Sequence, residues 1–245
     1  MPKPAEGQRI RRPGAGRKPG HAPTLPPLAD DPSVSLSRRV QDAIRVGLMS
    51  GMILPGNAVT SRSLSKAMGV SSTPVREALK QLEAEGVLAS RNKSAFFVTA
   101  PTRGEFREIL DIRLLLEGFA IRRAAQVATD ENLAAFRALN AQYEAVLRDP
   151  TANRGRSLAP NFRFHFEIYR LAGSPLLMTT IEGLWLRIGP MLHEFVSHIP
   201  DHGDTAIEHR QMLDALARND PDAAESALRA DLIGAFEEIA KVLKD

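Results

Sequence analysis

The sequence predicts a mainly α-helical protein with two folded parts, an N-terminal winged helix-turn-helix with a small β wing and a C-terminal antiparallel bundle of helices. Apolar residues recur at helical spacing through most of the chain, and runs typical of strands occur only between residues 87 and 99. The chain has 245 residues, of which 43% are hydrophobic and 25% charged, so it is long enough for two modest globular domains.

Basic and acidic residues are distributed unevenly along the chain. Residues 34–100 carry nine Lys or Arg against four Asp or Glu, whereas residues 101–245 carry 17 against 22. This asymmetry predicts that the first part binds a polyanion and that the second has a different task. The absence of cysteine excludes a disulfide scaffold, and no segment has the roughly 18–20 apolar residues of a membrane helix or the pattern of a secretory signal. We therefore expect a cytoplasmic protein without a membrane partner.

Residues 1–33 are rich in proline, glycine and basic residues and have no apolar periodicity. Such a composition cannot offset the entropy of ordering, so we expect a disordered basic tail. Two roles remain open for it. It is either a solvated linker or an arm that lies in a DNA minor groove, because Gly16–Gly20 (GRKPG) resembles the basic core of an AT-hook.

Residues 34–100 are expected to form one compact DNA-binding unit that begins with a helix. Apolar residues spaced by four, from Leu36 to Leu48, define one face of this helix, and Leu54-Pro55-Gly56 predicts a turn after it. A short helix follows, with Thr60 or Ser61 as its cap.

The third helix of this unit follows a stop signal at Gly69 and a tight turn over residues 69–72. Thr73 is its expected N-cap and Pro74 its expected first residue. Two short extended runs, Val87–Ser90 and Ala95–Thr99, then form a two-stranded wing. Helix, short helix, tight turn, helix and hairpin are the order of a winged helix-turn-helix.

The outer face of the second helix of this motif carries groups that recognise DNA. Arg76 and Lys80 are four residues apart and point the same way. A helix N-terminus favours phosphate, arginine reads guanine with two hydrogen bonds, and basic residues of a wing reach backbone phosphates. The alternative, a merely solvated charged face, is disfavoured by the order of elements and the regional charge. The predicted DNA-binding residues are Arg62, Ser71, Ser72, Thr73, Arg76, Lys80, Arg91 and Lys93.

Three segments of this unit resemble the DNA-binding domain of GntR-family repressors. They are Pro55-Gly56, Gly69–Leu79 (GVSSTPVREAL) and Leu82–Gly86 (LEAEG). The family commonly has a DNA-contacting Arg where Ser72 stands, and Gly at the wing tip where Ser94 stands. The resemblance therefore implies the winged-helix fold and binding to double-stranded DNA, with departures that bear on operator sequence and wing geometry.

Residues 101–245 show helical periodicity throughout and no strand signal, which predicts an antiparallel helical bundle. Asp130 caps the second predicted helix and Asp220-Pro221 begins the last, while Pro160 and Pro190 delimit or kink their helices. The predicted helices span residues 103–127, 130–148, 157–172, 175–198, 204–218 and 221–243.

Polar residues stand in the apolar stripes of three of these helices. His165, His209 and Asp231 align with apolar neighbours, and Asn161 lies one turn before His165 on the same face. Each inward polar group must find a partner when it is buried. Separate hydrogen bonds in the core satisfy them one by one, whereas a shared polar cavity, with or without a metal ion, satisfies them together.

This region resembles the FCD effector domain of the FadR-like branch of the GntR family. The segments that carry the resemblance are Ile112–Glu117 (IRLLLE), Asn161–His165 (NFRFH), Ala172–Pro175 (AGSP), Glu208–Arg210 (EHR) and Asn219–Ala224 (NDPDAA). Many members hold a divalent metal ion with one Asp and three His. The resemblance puts Asn161 at the Asp position, His165 and His209 at two His positions, and Asp231 at the third. Oxygen and nitrogen donors remain, so zinc, nickel or manganese is the implied cofactor.

Two arginines complete the expected effector pocket. We expect Arg113 and Arg187 to face it. A small carboxylate is then the natural effector, because arginine forks and an open metal position both favour oxyanions. Family resemblance also points to small organic acids.

The function predicted from the sequence is that of a ligand-responsive transcription regulator, a repressor of a metabolic operon. It should bind a palindromic operator as a homodimer, because two recognition helices read two half-sites. Two other interpretations remain. His165, His209 and Asp231 are also the ligand types of an iron enzyme, although a DNA-reading domain in front of them disfavours catalysis. An architectural DNA-binding protein without a ligand is disfavoured by the inward polar groups.

Overall fold

The computed structural model describes residues 25–53, 58–91, 95–148, 158–198, 206–241 and 243 of the chain. The AT-hook-like segment Gly16–Gly20, the Pro55-Gly56 turn, and Lys93 and Ser94 of the wing tip lie outside the described residues. Among the helices that are described, none is long and apolar enough to cross a membrane.

The N-terminal domain contains three helices and a three-stranded sheet within the described ranges. Its elements are α1 (Leu36–Met49), β1 (Ala58–Thr60), α2 (Ser61–Met68), α3 (Ser72–Ala84), β2 (Leu88–Arg91) and β3 (Ala95–Val98). The two wing strands pair as predicted, and β3 is central because β1 pairs with its other edge. The sequence did not predict β1, since three residues are too few for a period-two pattern. Val59 lies opposite Phe96 and is buried.

Local capping fixes the two helices of the helix-turn-helix. Thr60 and Ser63 form a capping box at the start of α2, and Gly69 ends that helix in the left-handed conformation, with φ of 67°. The prediction of Thr73 as the N-cap of α3 is wrong, because α3 begins at Ser72. Pro74 is instead the third helical residue, where a missing N–H costs no helical hydrogen bond.

The described end of the predicted tail, residues 25–33, contacts this domain through a few residues. Leu25 and Leu28 pack against the apolar core, and the guanidinium of Arg39 donates to the carbonyl of Ala29 at 2.9 Å. Two leucines among the prolines give this short segment apolar surface to bury, which residues 1–24 do not have in comparable density.

The C-terminal domain contains six helices and no strand in its described parts. Its elements are α4 (Arg103–Val127), α5 (Asp130–Arg148), α6 (Leu158–Arg170), α7 (Pro175–His198), α8 (Ile207–Ala217) and α9 (Pro221–Ala240). Helix α4 packs along α9, α8 also packs on α9, and α5 packs on α6 and α8. The caps at Thr102 and Asp220 and the first-turn Pro221 explain where α4 and α9 begin. Pro190 lies inside α7 rather than ending it.

Helix α7 joins the two domains by a close contact with α1. A Cβ atom added to Gly189 would lie 2.5 Å from Cα of Met49, so only glycine permits this approach. Beside it, the guanidinium of Arg45 lies 2.7 Å from the carboxylate of Glu85 and 3.9 Å from that of Glu182 on α7. Helix α7 therefore packs against the N-terminal domain and is also part of the bundle.

Candidate metal centre and nucleic-acid interface

Three polar side chains meet inside the bundle, one from each of three helices. Nε2 of His165 on α6 lies 3.5 Å from a carboxylate oxygen of Asp231 on α9. Nε2 of His209 on α8 lies 3.7 Å from the other oxygen. Each residue offers one ligand atom, and these atoms all lie within 4.8 Å of one another. The three side chains therefore converge, and both imidazoles are almost fully buried.

Asn140 on α5 fixes the tautomer of His209. Its amide nitrogen donates to Glu144 at 3.1 Å, which leaves its carbonyl oxygen facing Nδ1 of His209 at 2.9 Å. We assign the proton of His209 to Nδ1 because that oxygen can only accept. The lone pair of Nε2 is then free and faces Asp231.

A second chain of hydrogen bonds fixes the tautomer of His165. The hydroxyl of Tyr169 donates to Glu117 at 2.6 Å, so it accepts from Nδ1 of His165 at 3.2 Å. Nε2 of His165 is therefore unprotonated by the same reasoning. Hydrogen-bonded Nδ1–H groups of this kind hold metal-ligating histidines in position.

Glu117 on α4 is the centre of this chain and is fully buried. Its carboxylate accepts from the indole N–H of Trp185 at 3.0 Å and from Arg113 at 2.6 and 3.2 Å. The guanidinium of Arg113 also lies over the indole ring, 4.8 Å from its centroid. Both charges are thus paired inside the domain, as burial of ions requires.

Burial governs the protonation of the three candidate ligands. It lowers the pKa of His165 well below its ordinary value, with His209 adding to the effect, and lowers the pKa of His209 to about 3. Burial, and then the nearby Glu208, raises the pKa of Asp231 to about 7. Two neutral imidazoles therefore present lone pairs to a carboxylate, and a cation between them would relieve the repulsion.

The donor chemistry fits a divalent metal ion. Two imidazole nitrogens and one carboxylate oxygen are a three-ligand set that leaves further coordination positions open. Asn161 lies on α6 one turn before His165 and is half-buried. Its role as a fourth ligand stays a prediction.

The structure places the two predicted effector arginines differently from expectation. Arg113 lines a small cleft between α4, α7 and α9, but two of its donors are engaged by Glu117. The prediction that Arg187 faces the pocket is wrong. Its side chain is exposed and donates to the backbone carbonyl of Glu85 in the N-terminal domain, because α7 turns this face toward α1 and α3.

Sequence reasoning missed the residues that orient the histidines. Asn140 lies in an apolar stripe with Phe136 and Tyr143, and Glu117 lies in a similar stripe with Ile121. Polar residues inside apolar stripes were the signal that identified His165, and the same signal applied to α4 and α5 finds these two.

Five of the eight predicted DNA-binding residues lie at the N-cap or on the exposed face of α3. One face of this helix buries Val75, Leu79 and Leu82, whereas the other is exposed to solvent. Arg62 is exposed on the preceding helix, and Arg91 ends β2. The side chain of Ser71 makes no capping hydrogen bond to α3. The exposed predicted residues at this helix are Ser71, Ser72, Thr73, Arg76 and Lys80.

A helix-turn-helix with a basic outer face, joined to a bundle with a buried polar site, defines a ligand-responsive DNA-binding regulator. The family model of the FCD domain matches residues 108–233, and that of bacterial regulatory proteins of the gntR family matches residues 36–98. The chain belongs to the GntR family of bacterial regulatory proteins, with an FCD domain as its C-terminal part.

Curated relatives and solved structures agree with this assignment. The HTH-type transcriptional regulator McbR of Escherichia coli K12 is 31% identical over 160 residues, which are 65% of this chain and 72% of that protein. The probable D-xylose utilization operon transcriptional repressor of Paenarthrobacter nicotinovorans is 30% identical over 79% of this chain and 84% of that protein. The structure of E. coli McbR/YncC has a TM-score of 0.78 and 27% identity, over 85% of this chain and 98% of that chain. The chain is a DNA-binding transcriptional regulator, and this class is not enzymatic.

Proposed function

We propose that this regulator is a metal-containing repressor of a metabolic operon, whose effector is a small carboxylate. The observation that carries the metal is the geometry of the His165–His209–Asp231 site. Both imidazoles direct free Nε2 lone pairs at one carboxylate, and buried partners hold each ring in that tautomer. A divalent ion neutralises this donor set and is the simplest group that makes it stable.

Zinc, nickel and manganese all accept such a donor set. When bound, the ion supplies open positions for oxygen ligands, and a carboxylate is the natural group to take one of them. The effector proposal therefore rests on the metal, because Arg113 is paired with Glu117 and Arg187 lies at the other domain. Asn161 is the candidate for an additional oxygen ligand from α6.

Repression, dimerisation and a palindromic operator are the remaining parts of the proposal. The P. nicotinovorans relative is named as an operon repressor, which supports repression here. A single recognition helix reads only a few base pairs, and a two-fold dimer doubles this on a palindrome. Such a protein works in the compartment that holds the chromosome, which supports the cytoplasm as its location.

A metal-free polar cavity is the second candidate, and it has one observation in its favour. With its pKa raised to about 7, Asp231 can carry a proton and donate it to one of the two imidazoles. In that case the three residues only form hydrogen bonds with one another, and these bonds stabilise the bundle.

Calorimetric titration of the metal-stripped full chain with zinc, nickel and manganese chlorides separates the two candidates. We expect one binding site for the wild type and a loss of affinity of roughly 10- to 100-fold or more in Asp231→Asn, because the variant removes the charged ligand. Asp214→Asn, which changes an exposed carboxylate on α8, is the matched control and should bind as the wild type does. Equal titrations of the two variants would contradict the metal proposal.

A further inference from the structure

The C-terminal end of helix α3 is held by two arginines, one from each domain. The guanidinium of Arg187 on α7 donates to the backbone carbonyl of Glu85, the C-cap residue of α3, at 3.3 Å. The guanidinium of Arg45 on α1 lies 2.7 Å from the carboxylate of Glu85 and 3.9 Å from that of Glu182 on α7. Helix α7 therefore contacts the end of α3 directly through Arg187 and indirectly through Arg45.

The position of Arg187 suits a residue that holds α3. The last carbonyls of a helix have no helical partner and carry partial negative charge, so they favour a cation that can donate to them. Hydrogen bonds from Thr102 lower the pKa of Glu105 in the first turn of α4, and the charge of Arg187 lowers it further. The guanidinium therefore lies near three elements, which are α7, the end of α3 and the start of α4.

Helix α7 also contacts the buried polar network of the bundle. Trp185, two residues before Arg187, donates from its indole N–H to Glu117 at 3.0 Å, and the hydroxyl of Tyr169 connects Glu117 to His165. Residues two apart lie about 200° apart around an α-helix, so Trp185 and Arg187 point in nearly opposite directions. A movement of α7 therefore shifts its contact with this network and its contact with α3 together.

Small rotations of α3 affect DNA binding because the helix is held at one end and reads DNA at the other. Its 13 residues extend over about 20 Å. A rotation of about 10° around Glu85 displaces the first residues of α3 by roughly 3.5 Å, which is about the rise of one base pair. Because a dimer reads two half-sites at a fixed spacing, a displacement of this size changes the spacing that fits.

We propose that Arg187 is a positioning residue for operator binding. Its hydrogen bond to Glu85 fixes the direction of α3 relative to the bundle, and thereby the half-site spacing that the dimer recognises. The inference rests on the proposed binding of a palindromic operator by a homodimer, and it names the residue that sets the spacing. Arg187 acts through α3 rather than on DNA, because it lies at the end of α3 opposite to Ser71 and Arg76.

The test measures the affinity of the full-length protein for three kinds of DNA duplex by fluorescence anisotropy. The first is a palindromic operator selected from random duplexes, and the second keeps one half-site and scrambles the other. The third is a series in which the spacing between the half-sites is longer or shorter by one or two base pairs. For Arg187→Ala we expect about 10-fold weaker binding to the operator, unchanged binding to the single half-site and a flatter dependence on spacing.

Two variants serve as controls. Arg187→Lys keeps a cation that can donate to the same carbonyl, so it should retain the spacing preference of the wild type. Arg229→Ala removes an exposed arginine of α9 and should bind every duplex as the wild type does. Denaturant unfolding should be nearly the same for all these variants, because one exposed polar contact contributes little to stability.

The possible failures are separable. A wild type that binds the operator no more tightly than the single half-site would overturn the proposed palindromic dimer, and this inference with it. A wild type that prefers one spacing, with the same preference in Arg187→Ala, would overturn only the positioning role. Equal losses on the operator and on the single half-site would mean that Arg187 merely stabilises the fold, which also overturns that role. If Arg187→Lys behaves like Arg187→Ala, the hydrogen bond to Glu85 is not the cause.

Discussion

The interiors of the two domains of this regulator differ in polarity. In the described part of the N-terminal domain, Ser50 is the only buried polar residue, and its hydroxyl donates to the carbonyl of Val46 at 2.6 Å. The described part of the bundle instead buries five polar or charged side chains. They are Arg113, Glu117, Asn140, His165 and His209.

This difference is what we expect if the winged helix binds DNA at its surface and the bundle holds a small molecule or a metal ion inside. DNA is read from outside, so the winged helix needs only a rigid apolar core behind the exposed face of α3. An effector or metal held inside the bundle requires polar groups in the interior, and each of them must be hydrogen-bonded to avoid a large desolvation cost. The network around Glu117 meets that requirement for Arg113, Tyr169 and Trp185.

The largest effect should come from removing the centre of the buried network. Glu117→Ala leaves the Arg113 guanidinium unpaired inside the bundle, and we expect a loss of about 3–5 kcal/mol in the free energy of unfolding. Denaturant unfolding measures it, with Glu131→Ala on the exposed face of α5 as the control. A loss below about 1 kcal/mol would mean that the network does not stabilise the bundle.

Truncation of an apolar side chain in the core of the N-terminal domain should destabilise that domain alone. Leu79→Ala removes a fully buried side chain of α3, and we expect a cost of about 2–5 kcal/mol from lost packing. Hydrogen exchange should show faster exchange of amides in α1 and α3 and unchanged exchange around α6 and α8. Equal acceleration in both domains would show that they unfold as one unit.

The DNA-reading face should tolerate substitution without loss of stability. Arg76→Ala removes an exposed side chain, so we expect unfolding to be unchanged. Specific DNA binding should weaken by about 1–3 kcal/mol if the arginine contacts guanine. Gel-shift titrations on an operator selected from random duplexes measure this effect, with exposed Arg229 of the bundle changed to Ala as the control. Operator affinity equal to that of the wild type would remove Arg76 from the interface.

The smallest expected effect comes from a substitution that tests the coupling between metal binding in the bundle and DNA binding by the N-terminal domain. Gly189→Ala forces α7 away from Leu48 and Met49, whereas Gly183→Ala on the same helix has open space around it. We expect Gly189→Ala to keep metal affinity but to lose the dependence of operator affinity on metal, a coupling typically worth about 1–3 kcal/mol. If both variants keep that dependence, α7 does not transmit the signal.

Comparison of sequence and structure shows which features periodicity can predict. The bounds of α4, α5 and α7 are the predicted ones, because long apolar stripes define them. The predicted cap of α5 is wrong, since Thr129 rather than Asp130 accepts from the backbone N–H of Asn132. His165, His209 and Asp231 were singled out for the same reason, as polar residues on inward faces. Hydrophobic periodicity shows which face of a helix is buried, but it does not show which other element packs against that face.

The features that were missed depend on contacts between elements distant in sequence. Arg187 points at the N-terminal domain because α7 packs on α1, and no local pattern encodes that contact. The strand β1 exists because β3 offers it an edge. The tautomers of the two histidines depend on Asn140 and Tyr169, which become their partners only in the folded bundle.

The metal content of the purified protein shows whether the polar interior of the bundle binds a metal ion, as we propose. Elemental analysis of protein purified without a histidine tag should find about one equivalent of a divalent transition metal per chain. A chelator should then lower the melting temperature of the wild type and leave that of Asp231→Asn unchanged. Less than about a tenth of an equivalent, with no effect of chelator or of added divalent ions on the melting temperature, would contradict the account.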